Sequence, residues 1–214
     1  VQDNASTLAS GALSVTSSIG NISAGLFLVI FLLLFFLMDG RRMWVWFVRI
    51  LPSDWRSNIH EGSIRGYYTL KGYMRSTVLV AFIDAVGIGL GALILGLDLW
   101  LPIGVLVFLG SFIPIVGALL TGIVAVLVAL VELGPVTALI MLGIVLAVQQ
   151  IEGNVLQPLI MGNSTSLHPA AVVLGVAGGT YVAGITGAVF TVPIMAFLNT
   201  FLLYLSGRDK YPKL

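Results

Sequence analysis

A single carboxylate stands out in a long uncharged stretch of this chain. From residue 133 to residue 207 the sequence runs for 75 residues with Glu152 as its one Asp, Glu, Lys or Arg. Side-chain amides surround it at Gln149, Gln150 and Asn154. An amide both donates and accepts hydrogen bonds, whereas a carboxylate takes up a proton or a cation. Because an acid in an apolar span costs on the order of a few kcal/mol unless it meets water or a partner, it usually marks a pathway or a site.

Helical spacing pairs Gln149 with Glu152 and Gln150 with Asn154 on adjoining faces. This pattern has two interpretations. In the first, the four side chains lie beside the path of a polar solute or an ion. In the second, Glu152 and Asn154 cap the end of a helix and hold the turn that leads to Pro158.

Asp84 is a second acid whose position in an apolar stretch indicates a chemical or structural role. It interrupts an apolar stretch from Thr77 to Leu97, and a helix that enters the membrane at Thr77 places it about 10 Å deep. A carboxylate there is either part of a proton or ion relay or a structural group paired with Arg75 or a hydroxyl. The same stretch contains small residues that allow close helix approach, namely Gly87, Gly89 and Gly91.

The composition indicates whether the chain as a whole belongs in water or in a lipid bilayer. Hydrophobic residues make up 58% of the chain, charged residues 9%, and the mean hydropathy is +1.09, whereas a soluble domain carries about 25% charged residues. The chain is therefore an integral membrane protein. It has no cysteine, and its two histidines, His60 and His168, show no metal-ligand spacing. These features predict no metal, no cofactor and no enzymatic activity, and a net charge of +1 predicts no nucleic-acid partner.

Charge and hydropathy divide the chain into four predicted segments. Residues 1–38 hold a polar, extracytoplasmic start and a first membrane helix, and the lack of a basic signal region indicates the internal or trimmed start of a longer protein. Residues 39–76 carry seven basic residues against three acids, which predicts a cytoplasmic, amphipathic helical segment. Residues 77–206 form a membrane transport core, and residues 207–214 form a cytoplasmic tail.

Two segments of the core are too long for one crossing. Residues 99–131 and 169–206 are uncharged for 33 and 38 residues, about 50 and 57 Å as straight helices, against a hydrocarbon core of about 30 Å. We therefore predict an all-α, polytopic membrane protein with two broken segments. The expected helix breaks and hinges are Pro114, Gly117, Pro158, Gly178, Gly179, Gly184, Gly187 and Pro193.

The basic tail and the basic segment 39–76 both belong on the cytoplasmic side, so an even number of crossings separates them. Either both overlong segments cross fully, or both re-enter and return to the side from which they came. The loop from Glu152 to His168 has no Lys or Arg, which favours full crossing with the loop outside.

Several motifs together resemble the AI-2E transporter family. They run in order through the core as Gly72-Tyr73-Met74-Arg75-Ser76, Pro114-Ile115-Val116-Gly117, Gln150 to Gly162, Leu167-His168-Pro169, Gly178-Gly179, Gly184-Ile185-Thr186-Gly187 and Val192-Pro193. Ser76 and Ile115 depart from the family pattern. The resemblance covers the chain from Leu26 onward and implies that further membrane helices precede it.

The resemblance implies a transporter in the bacterial cell membrane that assembles as a homo-oligomer, with a pentamer as the expected number. Some family members are linked to autoinducer-2 export and others to exchange of sodium or lithium for protons. We therefore predict a secondary carrier for a small polar solute such as a quorum signal, coupled to protons or sodium. The alternatives are a cation/proton antiporter and an uncoupled oligomeric pore or scaffold. Substrate, direction, coupling ion and subunit number stay open.

Overall fold

The computed structural model describes residues 2–114, 116–161 and 167–208, with residues 2–22 and 161 described by their backbone alone. Val1, Ile115, Gly162 and the tail from Asp209 onward lie outside these ranges. The described part of the chain is 91% helical and contains no strand. Its elements in order are α1 (Gln2–Ile50), α2 (Ser53–Ile94), α3 (Trp100–Gly110), α4 (Val116–Leu133), α5 (Pro135–Ile151), a π-helix (Glu152–Met161) and α6 (Pro169–Leu205).

Five stretches of the described helices are long and apolar enough to cross a membrane. They are Ser23–Ile50, Ser53–Ile94, Val116–Leu133, Pro135–Ile160 and Pro169–Leu205. The predicted all-α, polytopic membrane fold is therefore confirmed.

The chain forms two compact units, Val1–Ser57 and Asn58–Leu214. In the first unit α1 continues through Asp39 without a break, so the predicted boundary between residues 38 and 39 lies within one helix. The turn after α1 is held by Arg56, whose guanidinium donates to the carbonyls of Leu51 and Arg49, each at 2.7 Å. The remaining predicted segment boundaries stay predictions.

In the second unit the glycines of α2 set how closely neighbouring helices approach. A Cβ on Gly89 would lie 3.4 Å from the Cα of Gly104 in α3, and a Cβ on Gly87 would lie 3.0 Å from Val148 in α5. The small residues of α2 thus bring α3 and α5 against its backbone, as the sequence predicted.

The first overlong segment folds back on itself. At one end of the α3–α4 pair the amide of Asp98 donates to Glu132 Oε2 at 3.1 Å. At the other end Gly117 touches the carbonyl of Gly110, and a methyl group on either glycine would overlap its surroundings. The segment therefore starts and ends on the same side, with its turn at the predicted break beside Pro114.

The second overlong segment also folds back. The backbone of α6 is non-helical at Ala183 and at Gly184, where φ is 61° and ψ is −144°, a region that glycine alone adopts readily. The two arms, residues 169–182 and 185–205, then run against each other, with Gly179 packed on Gly187. A straight helix would hold residues eight apart at about 12 Å, so this contact defines a helical hairpin.

Both overlong segments are therefore hairpins, and neither changes sides. Of the two arrangements that an even number of crossings allowed, the structure has the re-entrant one. The preference for full crossing, which was drawn from the uncharged loop, was wrong. Short loops without Lys or Arg carry little information on orientation. Gly178 and Gly179 are adjacent in sequence but differ in how closely they are packed. Gly179 contacts the other arm of the second hairpin, whereas a Cβ on Gly178 would meet no atom within 4 Å.

We expect Gly179→Ala to destabilise the protein by roughly 1–3 kcal/mol, because the added methyl group would overlap Thr191 and the Gly187 carbonyl. Gly178→Ala is the matched control and should be neutral or stabilising by up to about 1 kcal/mol. Apparent melting temperatures of the purified variants in detergent measure the difference. Equal melting temperatures would contradict the close packing of the two arms.

Candidate substrate and ion site

A cavity of about 300 Å³ lies between α2 and the two hairpins. Its wall combines residues from α2, the turn of the first hairpin, the π-helix and both arms of the second hairpin. The lining residues that carry polar groups are Tyr73, Thr77, Asp84, Ser111, Glu152 and Gln157. The cavity thus lies where the sequence predicted broken helices to frame a pathway.

One face of α2 supplies three of these polar groups. Tyr73, Thr77 and Asp84 are spaced four and seven residues apart, which places them along one side of a helix. All three are buried, and Asp84 is 1% exposed. Arg75 does not compensate for that burial, because it lies on the exposed side of α2. The predicted alternative of an Asp84–Arg75 pair is therefore wrong.

Glu152 marks the point where α5 changes into the π-helix. Its amide still donates to the carbonyls of Gln149 and Val148, as in an α-helix, and the wider turns follow it. A π-helix bonds each residue to the fifth one on, and so brings Gln157 over Glu152. Gln157 Nε2 donates to Glu152 Oε1 at 3.3 Å, and both side chains line the cavity.

Asp84 and Glu152 line the same cavity, one from α2 and the other from the π-helix. Two ionised carboxylates only accept hydrogen bonds, so they repel each other unless a proton or a cation lies between them. In keeping with this, Asp84 Oδ1 and Thr77 Oγ1 are buried without a hydrogen-bond partner in the part of the chain that the structure describes. Such atoms are costly, and a bound ion or polar solute in the cavity would satisfy them.

A second cavity, of about 560 Å³, lies between α4 and α5. Ala118, Glu152 and Gln157 belong to its wall and to the wall of the first cavity. Glu152 therefore lies where the two cavities adjoin.

The predicted site residues separate into two groups. Glu152 and Asp84 share the first cavity, and Gln149 lines the second. Asn154 Nδ2 donates to Gln150 Oε1 at 2.9 Å, a pair that is exposed and lines neither cavity. The pairing of Gln150 with Asn154 follows the predicted spacing, whereas the partner of Glu152 is Gln157 rather than Gln149.

The predicted breaks also differ in position. Pro114 lines the first cavity, and Pro158 lies within the π-helix. Pro193 is buried within the second arm of α6, and the non-helical residues of α6 are Ala183 and Gly184, so the predicted break at Pro193 is wrong. None of the remaining predicted glycines lines the cavity. The hairpins are shaped by Gly117, Gly179, Gly184 and Gly187, whereas Gly178 lies within the first arm of α6 without a close contact.

Four polar residues of the site were missed from the sequence. Tyr73 and Thr77 had a usable signal, since they share a helical face with Asp84. Gln157 had none, because an α-helix would turn it away from Glu152. Ser111 lies at the end of α3, where its hydroxyl donates to the Val107 carbonyl at 2.8 Å, and only the hairpin brings it to the cavity.

The fold and the cavity define a class of protein. It is an all-helical, multi-pass membrane protein whose acidic cavity is framed by two broken helical segments. A family model for AI-2E family transporters matches residues 1–207. The chain belongs to this family.

Relatives agree with that assignment. The chain is 42% identical over 211 residues to an inferred transport protein of Mycobacterium tuberculosis, covering 99% of this chain and 58% of the relative. It is 30% identical over 203 residues to the inferred transport protein YueF of Bacillus subtilis, covering 95% of this chain and 55% of the relative. The chain thus spans somewhat more than half the length of these relatives.

Thr77→Val tests whether the cavity is built for a ligand or for stability. Valine has the shape of threonine without the buried hydroxyl, so we expect the melting temperature to stay equal or to rise slightly. Transport should nevertheless fall, because a polar group that faces the solute or ion is lost. A variant that is less stable, or one that transports normally, would contradict this role for Thr77.

Proposed function

We propose that this chain forms the pathway of an ion-coupled secondary transporter, in which Asp84 and Glu152 together bind a proton or a small cation. The transported solute is small and polar, in the class of a quorum-signal molecule, and it occupies the same cavity beside Ser111, Thr77 and Gln157. The protein works in the cell membrane of a bacterium as a homo-oligomer, and it carries out no enzymatic reaction.

One observation carries the proposal. Two acids that are 68 residues apart in sequence face a single cavity at which two helical hairpins meet. A proton or a cation between the two carboxyl groups removes their repulsion. Without it, the two carboxyl groups favour a different distance from each other. Occupancy of the pair is therefore linked to the positions of α2 and the π-helix, and this linkage is what coupling requires.

The amide and hydroxyl groups of the cavity suit a neutral, hydroxylated solute. Gln157 keeps one amide proton and its carbonyl available while it binds Glu152. Thr77 adds a buried hydroxyl with no partner among the described residues. A volume of about 300 Å³ lies at the lower end of the range for small-molecule sites, which favours a solute of few atoms.

Cation/proton exchange is the second candidate, and the acid pair itself favours it. Protons and cations would compete for the same two carboxyl groups, which is the basis of an antiport cycle. The two candidates differ in whether a polar solute moves at all. Flux measured with and without the solute, under the same ion gradient, separates them.

We expect Glu152→Gln and Asp84→Asn to lower gradient-driven flux by roughly tenfold or more, because each removes one charge of the pair. The full-length protein is reconstituted in liposomes under proton, sodium and zero gradients. Glu132→Gln is the matched control, since its amide oxygen can still accept the Asp98 amide, and its flux should stay within about twofold of the parent protein.

All three variants must elute as the parent protein does, so that altered flux reports on the site. Normal coupled flux in Glu152→Gln would refute the role of the pair. Flux that ignores every ion gradient in the parent protein would identify an uncoupled pore instead.

A further inference from the structure

The cavity between α4 and α5 has a chemistry that the proposed transport cycle does not use. Its walls are two apolar stripes at helical spacing, one on each helix. The α4 stripe consists of Leu119, Ile123, Val126 and Leu127, and the α5 stripe consists of Leu142, Val145 and Leu146. Leu119, Ile123 and Leu146 are 63%, 47% and 56% exposed, so the groove is open to a molecule from outside the chain.

The polar groups of this groove are confined to one end. Gln149, Glu152 and Gln157 are the polar members of its wall, and all three come from the last turn of α5 and the π-helix. Because α4 and α5 are antiparallel, this end lies beside Ala118 at the start of α4. The groove therefore has a long apolar body and a short polar end that contains a carboxylate.

We propose that this groove binds an amphipathic organic cation, with its apolar chain between α4 and α5 and its cationic head at Glu152. The volume of about 560 Å³ lies well inside the range of small-molecule sites, which are mostly apolar with a few placed polar groups. The end of the groove has a carboxyl group and no basic side chain among the described lining residues. A cationic head is therefore favoured over an anionic one.

Binding in the groove would compete with the acid pair of the transport cavity. A cation at Glu152 from the α4–α5 side satisfies the carboxyl group of a residue that shares the transport cavity with Asp84. An amphipathic cation is thus expected to inhibit coupled transport or to be carried itself. This consequence rests on the proposed function, whereas binding in the groove does not.

The test measures binding of radiolabelled decyltrimethylammonium to the full-length protein in nanodiscs, with empty nanodiscs subtracted. Ile123→Trp fills the groove, and Ile140→Trp is the matched control because Ile140 is equally exposed, at 50%, but is not part of the wall. We expect saturable binding that Ile123→Trp and Glu152→Gln each weaken roughly tenfold or more. Ile140→Trp should leave it unchanged, and decyl sulfate should not compete.

Equal weakening by both tryptophan variants, or competition by decyl sulfate, would overturn the proposal. So would a change in oligomer mass in Ile123→Trp without any binding by the parent protein, since the groove would then be covered by a second copy. If Glu152→Gln keeps normal flux while Ile123→Trp abolishes binding, the groove stands and the proposed transport role falls. If Glu152→Gln loses flux while Ile123→Trp binds normally, the proposed transport role stands and the groove proposal falls.

Discussion

The placement of Asp84 and Glu152 in one cavity is the constraint on which the arrangement of the core depends. Both acids lie in stretches that are otherwise apolar, and Asp84 is almost fully buried. A buried carboxylate must find a partner or change its protonation. Here a second carboxylate lines the same cavity, so the two groups repel each other when both are ionised. The proposed proton or cation would relieve that repulsion.

The two hairpins make room for this pair. A continuous helix presents no free backbone groups and no cavity. Two hairpins, in contrast, leave a space where they meet. The turns depend on glycine contacts too close for any side chain, between Gly110 and Gly117 in one hairpin and between Gly179 and Gly187 in the other. His168 completes the second hairpin by accepting the Ala170 amide at 3.2 Å, as the N-cap that precedes Pro169.

The π-helix adds a further link between the site and the rest of the core. It brings Gln157 onto Glu152, and it is attached to α2 where Ser76 Oγ donates to the Ile160 carbonyl at 3.1 Å. The π-helix therefore meets α2 at two places, namely the Ser76–Ile160 hydrogen bond and the cavity that Asp84 and Glu152 share. A change in the occupancy of the pair would be felt by both α2 and α5, which also form the walls of the two cavities.

The sequence by itself determined the membrane environment, the helical class, the two broken segments and the position of Glu152 and Asp84 in apolar spans. These follow from local quantities, namely hydropathy, span length and the cost of charge in an apolar span. Only the tertiary structure decided that both segments are hairpins, because an uncharged loop does not record the side on which it lies. The tertiary structure also placed Asp84 and Glu152 in one cavity, although 68 residues separate them in the sequence. It made Gln157 rather than Gln149 the partner of Glu152, because the turn of a π-helix is wider than any α-helical spacing predicts.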